Sequence, residues 1–162
     1  MRLAGFSVGE VIHASGETVV ALAQNASGES VVLKVLDSEH PSPETVARWH
    51  HEFAILQSID SEWVIGARAL HQDGRRWLLE LGDFAATNLA QVIARKLLDF
   101  ADRLAIAQQL AQAISDVHRH RLIHGDIAPK NVLVDLARLR IKLCDFGLAT
   151  RLEQERSREG VD

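Results

Sequence analysis

Hydrophobic positions in the first half of the chain form the short apolar runs that are typical of strands. Residues 25–28, which read Asn-Ala-Ser-Gly, separate the first two runs, and residues 72–74, Gln-Asp-Gly, separate the next two. Asn, Asp and Gly favour tight turns, so each pair of runs predicts an antiparallel hairpin. The four predicted strands are residues 18–23, 30–36, 63–71 and 75–81.

Three helices are predicted from apolar residues that recur at helical spacing. The first begins at Pro43 with Ser42 as its N-cap, because Ser followed by Pro is a typical helix start. A short helix is predicted over residues 89–95, and a long one over Phe100–Arg119, which Asp99 can cap. The predicted buried stripe of the long helix consists of Phe100, Leu104, Ala107, Ala111, Ile114 and Val117.

The last part of the chain alternates loops with short strands. A loop is predicted over residues 124–131, and strands over residues 132–134 and 140–144. Residues 151–162 are mostly charged, which predicts a disordered tail. The chain is therefore expected to have a small β-rich half followed by a helical half.

The composition is that of an ordinary globular protein. The 162 residues are 47% apolar and 25% charged, which argues against disorder and is enough for one domain with a sizeable core. No apolar run is long enough for a membrane span, and a net charge of −4 gives no electrostatic reason to expect nucleic acid as a partner. The single cysteine, Cys144, suits a reducing compartment, so we expect a cytoplasmic location.

Four chemically informative features follow one another along the chain. Lys34 stands on an otherwise apolar predicted strand, and Glu52 follows eighteen residues later in the first predicted helix. Residues 124–131 read His-Gly-Asp-Ile-Ala-Pro-Lys-Asn, and residues 145–147 read Asp-Phe-Gly. Each motif is weak alone, but in this order and spacing the chain resembles the protein-kinase superfamily.

This resemblance implies a role for each motif residue. Lys34 would supply the cation that the phosphates of ATP need, and Glu52 would orient it through an ion pair. Asp145 and Asn131 would supply oxygen ligands for Mg²⁺. Asp126, five residues before Asn131, would accept the proton of the attacking hydroxyl group. The implied reaction is in-line transfer of the ATP γ-phosphoryl group to a serine or threonine of a protein that the sequence does not identify.

The resemblance also implies an α+β fold with two lobes. Residues 1–83 would form a five-stranded antiparallel lobe with one helix, and residues 84–150 would form a truncated helical lobe. The two lobes would be joined at residues 80–83. Without the later helices of the family's domain, the long helix is expected to expose part of its apolar stripe and to invite self-association or a covering partner.

ATP would place its adenine between the two lobes. Leu79 would occupy the gatekeeper position, and backbone groups of Glu80 and Leu81 would face the ring. The apolar side chains above and below the ring would be Val19, Val32 and Leu133.

Several positions depart from the family's pattern. If the valine that follows the family's glycine-rich loop is Val19, the three glycine positions are Ile12, Ala14 and Glu17. We expect weaker ATP binding from this loop, because glycine lets the backbone approach phosphate closely. Gly125 replaces an arginine, and Ala128 replaces a lysine that steadies the γ-phosphate, a role that Lys130 would take in part.

Two alternatives remain open. Since the sequence ends fifteen residues after Gly147, before any Ala-Pro-Glu motif, the chain is also consistent with a pseudokinase or remnant that binds nucleotide or a partner without transfer. A small-molecule kinase of the aminoglycoside or choline type shares the His-Gly-Asp motif, although Asp-Phe-Gly-Leu-Ala at residues 145–149 favours the protein kinases. Within the family, the chain most resembles the kinase modules at the front of large bacterial sensor proteins.

Overall fold

A computed structural model describes residues 2–38, 40–82 and 87–152, and the first part of the chain forms one antiparallel sheet. The predicted five-stranded sheet is confirmed, and a two-residue strand, β1, adds to its edge. The spatial order of the strands is β1-β2-β3-β4-β6-β5. Their bounds are β1 Arg2–Leu3, β2 Phe6–Ser15, β3 Thr18–Gln24, β4 Ser30–Leu36, β5 Ala67–Asp73 and β6 Arg76–Gly82.

The two faces of this sheet pack differently. Alternate residues of β4 point to opposite faces, so the apolar run Ser30–Leu36 serves two cores. One face carries a small core, which we call the outer core: Leu3, Phe6, Ala23, Val31, Leu33, Val35 and Leu78. The other face joins a larger core that includes the first helix and the second part of the chain.

Helix α1, Pro43–Gln57, begins as predicted. Ser42 is its N-cap, and its side chain accepts a hydrogen bond from the backbone N–H of Thr45. The helix buries Trp49, Glu52, Ile55 and Leu56. Glu52 is therefore a buried acid on the helix face that packs against the sheet.

The segment before β5 corrects a predicted boundary. A strand was expected over residues 63–71, but β5 begins at Ala67. Leu143 donates its N–H to the carbonyl oxygen of Trp63 at 2.7 Å and accepts from the N–H of Ile65 at 3.0 Å. The apolar residues at 63–65 therefore connect the two parts of the chain instead of extending the hairpin.

The second part of the chain holds two helices and two small sheets. Strand β9 pairs with β10 on one side and β7 on the other, and β8 pairs with β11. A 3-10 turn at Pro129–Asn131 leads into β9. The bounds are β7 Thr87–Asn88, α2 Leu89–Ala94, α3 Phe100–Arg119, β8 Leu122–Ile123, β9 Val132–Asp135, β10 Arg140–Leu143 and β11 Thr150–Arg151.

Helix α3 has the predicted bounds and cap, but of the predicted stripe only Val117 is fully buried. Asp99 and Asp102 form a capping box at its start. The predicted stripe is mostly exposed: Phe100 is 80% and Leu104 is 53% exposed. The side chain of Gln109 donates to the carbonyl oxygen of Leu139 and accepts from the N–H of Ile141, so its own side of α3 faces the β9–β10 hairpin. The residues that pack inward are Ile106, Leu110, Ala113 and Val117.

The predicted connection between the lobes and the predicted disordered tail lie partly outside the described residues. Of the connection predicted at residues 80–83, residues 80–82 belong to β6, and residues 83–86 lie outside the described residues. The predicted disordered tail also lies outside them from residue 153 on. Among the described helices, none combines the length and apolar character that a membrane crossing requires.

Candidate active site

Lys34 lies between two carboxylates from different parts of the chain. Its Nζ is 2.8 Å from Oε2 and 3.0 Å from Oε1 of Glu52, and 3.0 Å from Oδ1 of Asp145. The side chain of Glu52 is 4% exposed, whereas that of Asp145 is 43% exposed. These three residues, the Lys34 cluster, are therefore buried on the α1 side and open to solvent on the Asp145 side.

Trp49 supports Lys34 from α1. Nζ of Lys34 is 5.5 Å from the centroid of the Trp49 ring, a distance at which a cation–π contact is favourable. Trp49 precedes Glu52 by three residues, so both side chains lie on one face of the helix. The contact of Trp49 with Lys34 joins α1 to β4 and depends on the tertiary arrangement.

The charges of the cluster perturb one another. Burial disfavours the ammonium of Lys34, but Glu52 and Asp145 outweigh it and raise the pKa of Lys34. Burial also raises the pKa of Asp145, but Lys34 outweighs that effect and leaves this pKa below its usual range. Burial dominates at Glu52, whose pKa is raised. At neutral pH the cluster therefore presents a charged lysine beside an ionised, partly exposed Asp145.

His124 connects Asp126 to the residue before Asp145. The backbone N–H of Asp126 donates to Nδ1 of His124 at 3.3 Å, and Nε2 of His124 lies 3.1 Å from the carbonyl oxygen of Cys144. Because Nδ1 accepts, Nε2 carries the proton and donates to that carbonyl. Burial lowers the pKa of His124, which favours this neutral form.

Asn131 fixes Asp126. Asn131 is 4% exposed, and its Nδ2 donates to both the carbonyl oxygen and Oδ2 of Asp126 at 2.9 Å. Its backbone carbonyl accepts from the N–H of Cys144 at 3.0 Å. With Nδ2 bonded to Asp126, the side-chain oxygen of Asn131 is the atom suited to a cation.

Lys130 contributes a second positive charge. Its Nζ is 3.4 Å from Oδ2 of Asp126, and its charge helps to lower the pKa of Asp145. The side chain is 62% exposed and can move toward a ligand. Ala128 carries no polar group. In the 124–131 loop the lysine near the carboxylates of Asp126 and Asp145 is therefore Lys130.

Gly125 is required by a close backbone approach. Its φ is +80°, and a Cβ added there would lie 2.5 Å from the carbonyl oxygen of Leu148. The segment after residues 145–147 therefore crosses directly over the residue before Asp126. A side chain at position 125 cannot coexist with this arrangement.

We expect Gly125→Ala to lower the free energy of unfolding by about 2–4 kcal/mol, because a positive φ and an overpacked contact each cost about 1–2 kcal/mol. Urea unfolding followed by circular dichroism measures this. Gly74→Ala is the matched control, since Gly74 has φ +63° with nothing within 4 Å of an added Cβ. Equal losses in the two variants would contradict the close approach.

The apolar residues predicted to contact adenine do not all lie on the same face of the sheet. Partners in an antiparallel pair share a face, so Leu79, opposite Lys34, and Leu81, opposite Val32, lie on the face of the sheet that carries Lys34, which we call the cleft side. Leu133 packs, partly buried, against the same core. Val32, Leu79 and Leu81 are thus buried in the larger core on the Lys34 side of the sheet, and their contact with adenine stays a prediction.

Val19 was predicted to contact adenine, but it lies on the opposite face of the sheet from Lys34. Val19 pairs with Val35 and packs against the outer core, so it points away from the cleft. Val20, opposite Lys34, takes the cleft side instead. The one-residue error has a physical cause: the turn between β3 and β4 spans residues 25–29, and counting outward from it gives the true register.

Glu80 does not face the cleft either. It lies opposite Leu33 on the outer face, and its Oε2 is 2.9 Å from Nε2 of His71. Glu80 and Leu81 lie within β6, which is paired with β4 on one side and β5 on the other. The backbone of both residues is thus part of the sheet, and its contact with a bound base stays a prediction.

The tip of the β2–β3 hairpin is fixed to the end of β4. The carbonyl oxygen of Glu17 accepts from the N–H of Asp37 at 2.8 Å, and its carboxylate accepts from Oγ of Ser38 at 2.7 Å. The side chain of Glu17 is therefore engaged away from the Lys34 cluster. Ile12 packs against the larger core, and Ala14 pairs with Val19.

Comparison with known proteins agrees with this geometry. The family model for the protein kinase domain matches residues 13–161. The chain is 32% identical over 158 residues to a receptor-like serine/threonine-protein kinase of Arabidopsis thaliana, covering 93% of this chain and 24% of that protein. It is 30% identical over 156 residues to the probable serine/threonine-protein kinase zyg-1 of Caenorhabditis elegans, covering 93% and 22%.

Serine/threonine-protein kinase TIO of Arabidopsis thaliana is 28% identical over 124 residues, covering 76% of this chain and 9% of that protein. The chain thus spans less than a quarter of the length of these three curated relatives. The similarity therefore concerns one part of each relative.

Proposed function

The chain belongs to the protein kinase family, and we propose that it binds ATP with Mg²⁺ and transfers the γ-phosphoryl group to a serine or threonine hydroxyl of a protein. The observation that supports this most is the Lys34 cluster, in which Glu52 and Asp145 hold one lysine at 2.8 and 3.0 Å. Residues 1–150 would form the kinase-like unit, with residues 1–83 as the small lobe and 84–150 as part of the large lobe.

The roles of the charged residues follow from their environments. Lys34 is held in place by buried Glu52, so its ammonium can meet a phosphate with little loss of conformational freedom. Asp126 is held by Asn131 and is 34% exposed at its side chain, so its carboxylate can accept a proton from an incoming hydroxyl. Lys130 lies beside Asp126, where it can neutralise charge on the transferred group.

The oxygen atoms near Asp145 fit a hard cation. Oδ1 of Asp145 accepts a hydrogen bond from Lys34, and the second oxygen of this carboxylate could bind a cation. The amide nitrogen of Asn131 donates to Asp126, so its side-chain oxygen could bind the same cation. One carboxylate and one amide oxygen match the few protein ligands that Mg²⁺ takes beside substrate phosphates. When bound, Mg²⁺ would supply positive charge to phosphate oxygens. Asp145 and Asn131 would hold it there.

A nucleotide-binding protein without transfer activity is the second candidate. The β2–β3 tip supports it, because Glu17 is bonded to Ser38 and none of positions 12, 14 and 17 is glycine. In this case Lys34 and Asp145 would still bind nucleotide, but the γ-phosphate would lack close backbone donors.

Transfer of radiolabelled γ-phosphate from ATP to a general phosphoacceptor protein tests the proposed function. We expect Mg²⁺-dependent incorporation that phosphoamino-acid analysis locates on serine or threonine. Nucleotide binding with no incorporation would favour the second candidate, and incorporation that persists in EDTA would contradict the proposed metal role.

We further expect the full chain to self-associate through the exposed face of α3. Phe100 and Leu104 are 80% and 53% exposed there, and a contiguous apolar patch favours association. Leu104→Asp should shift sedimentation-velocity profiles toward the monomer. Val11→Asp is the control, because Val11 is also exposed, at 54%, but lies on β2. A wild-type chain that is monomeric at all concentrations would contradict this expectation.

A further inference from the structure

The segment that follows residues 145–147 makes three backbone contacts with the region around residues 121–125. We call residues 148–152 the crossing segment. Its Leu148 carbonyl lies over Gly125, Thr150 and Arg151 form β11 against β8, and the N–H of Leu152 donates to the carbonyl oxygen of Arg121 at 2.8 Å. Each of these contacts joins the crossing segment to the second part of the chain.

A further contact joins the crossing segment to α1. Nε2 of His51 lies 2.7 Å from the carbonyl oxygen of Ala149, which is 1% exposed. A carbonyl oxygen only accepts, so Nε2 of His51 carries a proton and donates it. His51 immediately precedes Glu52, and Ala149 follows Asp145 by four residues. The same two elements that supply the carboxylates of the Lys34 cluster are thus joined a second time.

The two ends of this link differ in how well they are otherwise fixed. In α1, Ile55 and Leu56 bury the end of the helix in the core, but before Glu52 only Trp49 is buried. Asp145 has a φ of +63°, a conformation that a residue other than glycine keeps only when its surroundings hold it there. A hydrogen bond from His51 to the turn after Asp145 restrains both the less buried half of α1 and this strained residue.

We propose that His51 is a positioning residue that holds α1 and the crossing segment together so that Glu52 and Asp145 both reach Lys34. This proposal rests on the proposed function for its effect on nucleotide, and on the fold alone for its effect on the crossing segment. Loss of the donor should let the two carboxylates separate. Nucleotide affinity would then fall while Asp126, held by Asn131, stays in place.

The test compares three variants of the full chain. His51→Phe keeps a ring of similar size without the donor, and His51→Gln keeps an N–H donor at a similar reach. His50→Phe is the control, because His50 lies beside His51 on α1 but contacts Trp77 of β6, with 4.7 Å between the ring centroids. Phenylalanine would keep that ring contact. Hydrogen exchange at the amide of Leu152 reports on the crossing segment, and titration with MgATP reports on the cluster.

We expect His51→Phe to exchange the Leu152 amide faster and to weaken MgATP binding by about three- to tenfold, the range for one net hydrogen bond. His51→Gln should restore most of both effects, and His50→Phe should resemble wild type. Unchanged exchange in His51→Phe, or equal effects of Phe and Gln, would overturn the proposal. If wild type binds no nucleotide, the proposed function fails, while exchange alone still decides whether His51 holds the segment.

Discussion

Asp126→Ala is expected to lower the rate of phosphoryl transfer by about 10²- to 10⁴-fold, the usual contribution of a general base, and to leave ATP affinity nearly unchanged. Among the described residues Asp126 pairs with Lys130, whereas Lys34 pairs with Glu52 and Asp145, so loss of the Asp126 carboxylate should not alter the charges that hold phosphate. Asn131 should also stay in place, because its Nδ2 still donates to the backbone carbonyl of residue 126. Radiolabel transfer and titration calorimetry measure the two effects.

Asp126→Asn is the matched control for this prediction. Its side-chain oxygen can still accept from Nδ2 of Asn131, so the local hydrogen bonds persist, but an amide cannot take a proton from the substrate. Both variants should therefore lose transfer to a similar degree. Full activity in Asp126→Asn would remove Asp126 from the proposed chemistry.

Lys34→Met is expected to weaken MgATP binding by about 10- to 100-fold, since a hydrogen bond to a charged group contributes about 1.5–3 kcal/mol. Lys34 is already held between Glu52 and Asp145, so it can contact phosphate without being reordered. Methionine has a similar length but no charge. Titration calorimetry at one pH and salt concentration gives the two affinities.

A second variant separates lost binding from lost folding. Lys34→Met leaves Glu52 buried without its cation, which destabilises a fold. Lys34→Met with Glu52→Gln removes both charges and should unfold nearer to the wild-type temperature. If this double variant folds and binds MgATP as tightly as wild type, Lys34 does not bind phosphate.

The charged residues of the site could be predicted because their chemistry depends on residue type and order. Lys34 was expected to pair with Glu52, and the structure joins them at 2.8 Å. The contact of Lys34 with Asp145 at 3.0 Å was not predicted. Asp126 and Asn131 were expected in one loop, five residues apart, and the structure adds two hydrogen bonds between them. The cap and both ends of α3 follow from local sequence in the same way. Their roles in binding and transfer remain predictions.

The errors arose where a choice between two faces had to be made. Helix α3 has apolar residues on both sides, and the side that packs inward also carries the hydrogen bonds of Gln109, a tertiary contact that no periodicity reveals. Val19 and Val20 are both valines on one strand, so only the register with β4 assigns one of them to the cleft. The contact of His51 with Ala149 joins residues 98 positions apart and has no local signal.

Titration of the full chain with ATP, once with excess Mg²⁺ and once with EDTA, tests the central claim that the Lys34 cluster is part of a nucleotide site. We predict saturable binding that weakens when the metal is removed and that loses this metal dependence in Asp145→Ala. Asp145 carries the partly exposed carboxylate of the cluster, so its loss should remove the metal contact first. Absence of binding at high protein concentration, or equal binding in EDTA, would contradict the claim.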